Sequence, residues 1–164
     1  MTIGRIVGVA RAIDDRTVEA PISGRPCLAY FVLATADDPR NDGFSSNSPE
    51  TLTLVEESNG IPFEVVDATG AAIVEPDGAT CALDKDHKSW EMTSLEAEPR
   101  HRAFLERIGV TGRSYTGIRC REGIVSLGEK IAVVGFGQRS DGRLRMSSSP
   151  HFPLVICDHA AVAR

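Results

Sequence analysis

The sequence predicts a mainly β domain of the α+β kind: one small barrel-like or strongly twisted antiparallel β domain over residues 1–164, with one short helix near 99–108. Three observations carry this. Short apolar runs recur along the chain, separated by Gly, Pro and Asp/Asn turns. One of them, 27–35, is apolar on both faces, which places it inside a sheet or in a closed barrel. Helical spacing with a Pro at the start and a Gly at the stop occurs at 99–108, where Phe104, Leu105 and Ile108 form a stripe ended by Gly109. At 164 residues and 41% apolar content, the chain can fill a single core.

In order, residues 3–13 read as a strand rich in Gly, Val and Ile, and Asp14-Asp15-Arg16 turns the chain into a short second strand at 17–19. Residues 20–30 follow. Pro21 and Pro26 exclude a helix there, because each removes an amide donor and fixes φ. Pro21, Gly24, Arg25 and Pro26 therefore read as a turn framework, and Cys27, Leu28 and Tyr30 as the inward lead into the next strand. In that strand the alternation sets Cys27, Ala29, Phe31 and Leu33 on one face and Leu28, Tyr30 and Val32 on the other.

Residues 36–50 are rich in Asp, Asn, Ser and Pro and hold a single large apolar residue, Phe44, so a mobile loop is expected within a long hairpin that returns at 51–56. Residues 61–74 read as two strands joined at Ala68-Thr69-Gly70. Glu75-Pro76-Asp77-Gly78 suits a type I turn, and 79–83 is expected to complete a meander. Trp90, with Met92 and Leu95, is expected to anchor the core. The polar face of the helix carries Arg100, Arg102, Glu106 and Arg107. After it, Tyr115, Ile118 and Cys120 introduce a strand, 131–136 forms another after the turn Leu127-Gly128-Glu129-Lys130, and Leu154 to Cys157 closes the chain.

Charge is unevenly distributed. The net charge is −5 and the isoelectric point about 5.4. Residues 1–98 hold 7 Lys/Arg against 18 Asp/Glu and the remainder 11 against 5. Mutual neutralisation of the two halves within one fold is the favoured reading, and the acidic balance disfavours non-specific nucleic-acid binding. No apolar run reaches the roughly 18 residues a membrane helix requires, and no signal peptide precedes the domain, so a complete chain is expected in the cytoplasm.

No catalytic, cofactor or metal motif emerges. Cys27, Cys81, Cys120 and Cys157 form no C-x-x-C pair and read as buried, reduced thiols. His87, His101, His151 and His159 are dispersed, and Cys157 with His159 supplies half a zinc site at most. A calcium loop starting at Asp84 fails, with Ser89 where Gly is needed and Leu95 where Glu is needed. Gly135-Phe-Gly137 lacks the third glycine and the helix of a dinucleotide site, and Gly-x-Ser-x-Gly is absent. The nearest approach to a binding surface is the basic strip Arg113, Tyr115, Arg119 and Arg121, the pattern an oligonucleotide-binding barrel would need.

The order of segments resembles a known family. Ala-Pro-Ile-Ser-Gly-Arg-Pro-Cys-Leu-Ala-Tyr, then Pro-Phe-Glu-Val-Val-Asp-Ala-Thr-Gly-Ala-Ala-Ile-Val-Glu-Pro, then Phe-Leu-Glu-Arg-Ile-Gly-Val, with 115–122, 124–134 and Leu-Val-Ile-Cys-Asp after them, resemble the GIDE family, also called the BAM or beside-a-membrane domain. The resemblance implies a module held next to a membrane, in proteins whose eukaryotic members end in a RING finger acting as a ubiquitin ligase. This sequence contains no cysteine–histidine array of the RING kind, so the ligase chemistry is not carried over. The expectation is a non-enzymatic membrane-adjacent sensing or protein-interaction domain that binds protein and uses no cofactor; it would be membrane-adjacent if it is a trimmed piece of a spanning protein. The alternatives are the substrate-recognition part of a ubiquitin-ligase-type system and an oligonucleotide-binding barrel.

Overall fold

The computed structural model describes residues 2–38, 51–84 and 87–159. Five strands close a barrel: β1 (Thr2–Ala12), β6 (Phe63–Asp67), β7 (Gly70–Val74), β11 (Lys130–Ser140) and β12 (Arg143–Ser147), in the order β1-β6-β7-β12-β11 and back to β1. Closure depends on β1, whose residues 2–9 pair with β11 while residues 9–12 pair with β6. Gly8 sits at this changeover, where a Cβ would lie 2.5 Å from the Val66 carbonyl oxygen. A glycine is therefore required sterically where the strand passes from one partner to the other.

Around the barrel in chain order, the strands run first, second, third, fifth, fourth and back to first. The third and fifth, β7 and β12, are parallel, with Ala72 opposite Leu144. This is the five-stranded Greek-key connectivity of oligonucleotide- and oligosaccharide-binding barrels. The inward side alternates along each strand, so Ala10, Phe63, Val65, Val74, Val133 and Met146 share the interior core.

The remaining strands are inserted into this connectivity. β2 (Val18–Glu19) and β3 (Pro26–Cys27) form a small ribbon around the turn at 20–25. β5 (Thr51–Gly60), β4 (Ala29–Asp37), β10 (Ile118–Val125) and β9 (His87–Glu91) make a second, antiparallel sheet in the order β5-β4-β10-β9. The two-sided run is thus an internal strand, as expected, and β4 and β5 form the long hairpin. Of the loop expected at 36–50, Ala36 and Asp37 belong to β4 and Asp38 is buried; residues 39–50 lie outside the described residues.

Three expectations need correction. The strand alternation does not hold through residue 28. Leu28 lies between β3 and β4, out of either strand, so Cys27 joins Tyr30 and Val32 on one face while Leu28 joins Ala29 and Phe31 on the other. Residues 79–83 complete no meander: the edge of β7 beyond β6 is taken by β12. β8 (Thr80–Ala82) therefore pairs in parallel with β13 (Val155–Cys157), which lies on β11. Trp90 is no core anchor: it is 57% exposed, and Met92 and Leu95 are exposed as well.

The second sheet has a core on each face. Ala29, Phe31 and Val125 pack on the barrel cluster, whereas Tyr30, Val32, Ala34, Cys120 and Ile124 pack against the turn residue Ile22 and the helix α1 (Pro99–Arg107). The helix begins with Pro99 and contributes Phe104 and Leu105; Ile108 is its C-cap and Gly109 follows at φ +87°. Ion pairs Arg100–Glu19, Arg107–Glu57, Arg119–Asp37, Arg143–Glu64 and Arg145–Glu75 each join a base from the second part of the chain to an acid from the first. This is the mutual neutralisation expected from the charge distribution.

Candidate functional site

The turn at 20–25 is held from across the sheet. Glu122 on β10 is 1% exposed; its Oε2 accepts the Ile22 N–H at 2.7 Å and its Oε1 the Ser23 N–H at 3.0 Å. A buried carboxylate is tolerable when charge-assisted bonds replace its water. Gly24 turns with φ +71° and donates to the Ala20 carbonyl at 2.9 Å, and Ala20 in turn donates to Arg25 at 3.0 Å. Pro21 is half-buried, Arg25 and Pro26 are exposed, and Cys27 and Tyr30 are buried. The Cys27 thiol is pushed up to about 12 by burial first and the nearby Glu122 charge second, against Arg25. Tyr30 donates its hydroxyl to Glu57 at 2.8 Å. Sequence reasoning missed Glu122, although one signal was available: Ile118, Cys120 and Ile124 are apolar at alternate positions, and Glu122 is the acid among them.

Beside this turn, His101 Nδ1 lies 2.8 Å from Glu91 Oε1, and the His101 and His87 rings meet edge-to-face at 6.1 Å. His87 and His101, dispersed in sequence, are thus brought together; His151 and His159 are exposed elsewhere. Among the described residues, no group of three or more His, Cys, Asp or Glu side chains is placed to share a metal ion.

The other face of β9 and β10 is open. Arg119 stands opposite Trp90 on one side and Thr35 on the other, and Arg121 opposite Lys88 and Leu33. Directly opposed residues in an antiparallel pair share a face, so Trp90, Lys88, Arg119 and Arg121 project together. Arg119 is tied to Asp37 at 3.1 Å. Lys88 and Arg121 are exposed and make no ion pair among the described residues. Of the remaining strip residues, Arg113 is exposed in the turn ahead of β10, and Tyr115 is half-buried against the helix-side core. The aromatic residue beside the two β10 arginines is therefore Trp90 and not Tyr115.

One end of the barrel holds a pocket of about 330 Å³, with Ile6, Val65, Ala72 and Leu144 in its wall and Asp67 and Arg139 among its polar lining residues. Asp67 is engaged locally: its Oδ1 accepts from the Thr69 hydroxyl at 2.6 Å and the Thr69 and Gly70 amides at 2.7 and 3.1 Å. Those bonds, the hydroxyl's first, hold its carboxyl below the usual range.

The GIDE family model, described as E3 ubiquitin ligase, matches residues 37–160. The chain belongs to the GIDE family. The matched stretch contains β9, α1 and β10, and hence Trp90, Arg121 and Glu122; it begins after the turn at 20–25, so the GIDE match does not include the partner that Glu122 holds. No curated protein and no solved structure matches the chain. Among the described residues, no helix is long and apolar enough to cross a membrane.

Proposed function

We propose that this GIDE domain is a non-enzymatic, membrane-adjacent protein-interaction module that recognises protein partners for a ubiquitin-ligase-type system, and that it does so on the open face of the second sheet. The observation that carries the reading is Trp90, 57% exposed on a terminal strand and next to Arg119 and Arg121. An exposed tryptophan costs hydration free energy in the free protein, and Trp and Arg dominate the binding energy of protein interfaces once covered. The description of the family supports the link to ubiquitin transfer, and the BAM resemblance supports placement beside a membrane.

A photo-crosslinking side chain at Lys88, compared with one at Lys130 on the barrel, tests the reading in cells. Adducts concentrated at position 88 and containing ubiquitin-conjugation components are expected. Equal labelling at the two positions would exclude this face as the interface. Fractionation of the same cells reports on the membrane: recovery of the protein away from membranes would remove that part of the reading.

The Greek-key barrel favours a second reading, oligonucleotide binding. Against it, the strands β6 and β7 offer no exposed aromatic: Phe63 is fully buried, and Glu64 of β6 and Glu75, just after β7, are engaged by Arg143 and Arg145. Gel retardation of a single-stranded oligonucleotide at low salt decides the matter; no shift is expected.

A further inference from the structure

We infer that the outer edge of β9 takes up an extended acidic segment of a partner protein as a fifth strand of the second sheet. This rests on the interaction face proposed above and specifies how that face is used.

The edge has a defined phase. The Gly117 N–H donates to the Met92 carbonyl at 3.0 Å, in register with the β9–β10 pairing. Alternation then turns the backbone groups of Trp90 and Lys88 toward β10 and those of His87, Ser89 and Glu91 outward. Among the described residues no backbone group bonds these three from the outer side. Such an edge is a template for another strand.

Space for that strand is present. A groove of about 540 Å³ runs along His87–Glu91, and its lining includes Ser23 from the turn and Glu98, Arg100 and His101 from the start of α1. An unpaired strand edge set in a groove beside a helix is the geometry that strand-adding recognition domains use.

The side chains choose the occupant. On an incoming strand, alternate residues point to the face that carries Trp90 and Lys88, with Arg121 one strand further in. Lys88 and Arg121 make no ion pair among the described residues, so that side of the segment is acidic, with an apolar residue over the Trp90 ring. A second copy of β9 is the wrong partner, since it would bring Lys88 toward a face already carrying Lys88 and Arg121, and like charges across strands destabilise pairing.

The probe is a capped peptide of about seven residues, Glu-Thr-Glu-Thr-Leu-Thr-Glu, whose alternation puts the Glu residues and the Leu on one face and which is long enough to span β9 at about 3.3 Å per residue. It is titrated into the full chain with Trp90, the single tryptophan, as fluorophore. A saturable fluorescence change is expected, together with slowed hydrogen exchange at the Ser89 and Glu91 amides and affinity about tenfold lower in Lys88→Glu. The same peptide N-methylated at alternate amides keeps its side chains but cannot pair, and is expected to lose at least about tenfold. Equal binding of both peptides overturns strand addition and leaves the interaction face standing. Absence of any response to either peptide overturns strand addition, and crosslinking at position 88 then decides the face separately. A saturable response to a single-stranded oligonucleotide but to neither peptide overturns both.

Discussion

Glu122 and Ile22, a hundred residues apart, are joined by a 2.7 Å hydrogen bond in which a buried carboxylate oxygen accepts a backbone N–H. Through it and the Ser23 bond, the second sheet fixes the turn that carries Cys27 inward and borders the groove beside β9. Replacing Glu122 by Gln supplies one oxygen for two donors and sets an NH₂ group against an N–H. Glu122→Gln is expected to cost about 1–3 kcal/mol, seen as a lower urea midpoint at unchanged slope. An unaltered midpoint would show that the carboxylate does not hold the turn.

Two glycines of β1 make a paired test of barrel closure. Gly8→Ala drives a Cβ to 2.5 Å from the Val66 carbonyl oxygen, while a Cβ at Gly4 meets no atom within 4 Å. Gly8→Ala is expected to lose about 1–3 kcal/mol through overpacking, and Gly4→Ala to be neutral or to gain up to ~1 kcal/mol. Thermal melts of the two variants give the comparison; equal effects would contradict the register of β1.

Trp90 separates binding from stability. Because its ring is mostly in water, Trp90→Ala is expected to change stability by no more than about 0.5 kcal/mol. Leu28→Ala, at a fully buried position, is expected to cost about 2–5 kcal/mol. A large loss in Trp90→Ala would return that residue to the core.

The thiols predict an alkaline limit. Burial pushes Cys27 up to about 12 and Cys81 and Cys120 up to about 11, from an ordinary value of 9.0. Below pH 9 both folded and unfolded chains keep these protons, so stability is unaffected; between 9 and about 12 the unfolded chain holds fewer, and stability falls as pH rises. Urea titrations across that range are expected to show the decline, and a thiol reagent at pH 8 to label the half-exposed Cys157 ahead of the other three. At Cys27 itself, Ser is expected to cost more than Ala, because it buries a hydroxyl among apolar neighbours.

On the helix side, Arg107 grips Glu57 with two bonds of 3.1 Å while Tyr30 donates to the same carboxylate. Burial works to raise the Glu57 carboxyl, but the Arg107 and Tyr30 bonds outweigh it and hold the group below its ordinary 4.5. The stability this contributes is present above pH 4.5 and lost as pH falls through the lower folded value. Arg107→Gln is expected to flatten the acid limb of the stability curve; an unchanged limb would place the acid sensitivity elsewhere.

What the sequence determined by itself is local. Alternating apolar residues, the prolines at 21 and 26, and the Pro99 and Gly109 boundaries place the strands, the turn and the helix, because periodicity and backbone restriction act within a few residues. The charge imbalance likewise foretold neutralisation between the two parts of the chain. Tertiary structure alone decided the rest. It put β8 beside β13, shifted the faces at Leu28, and set Glu122 under the turn. It also left Trp90 on the surface, where an apolar residue among exposed neighbours reads locally like a core position. Each of these depends on which strand edge is already occupied and which face another layer covers. Those are contacts between residues far apart in the chain, which no local window contains.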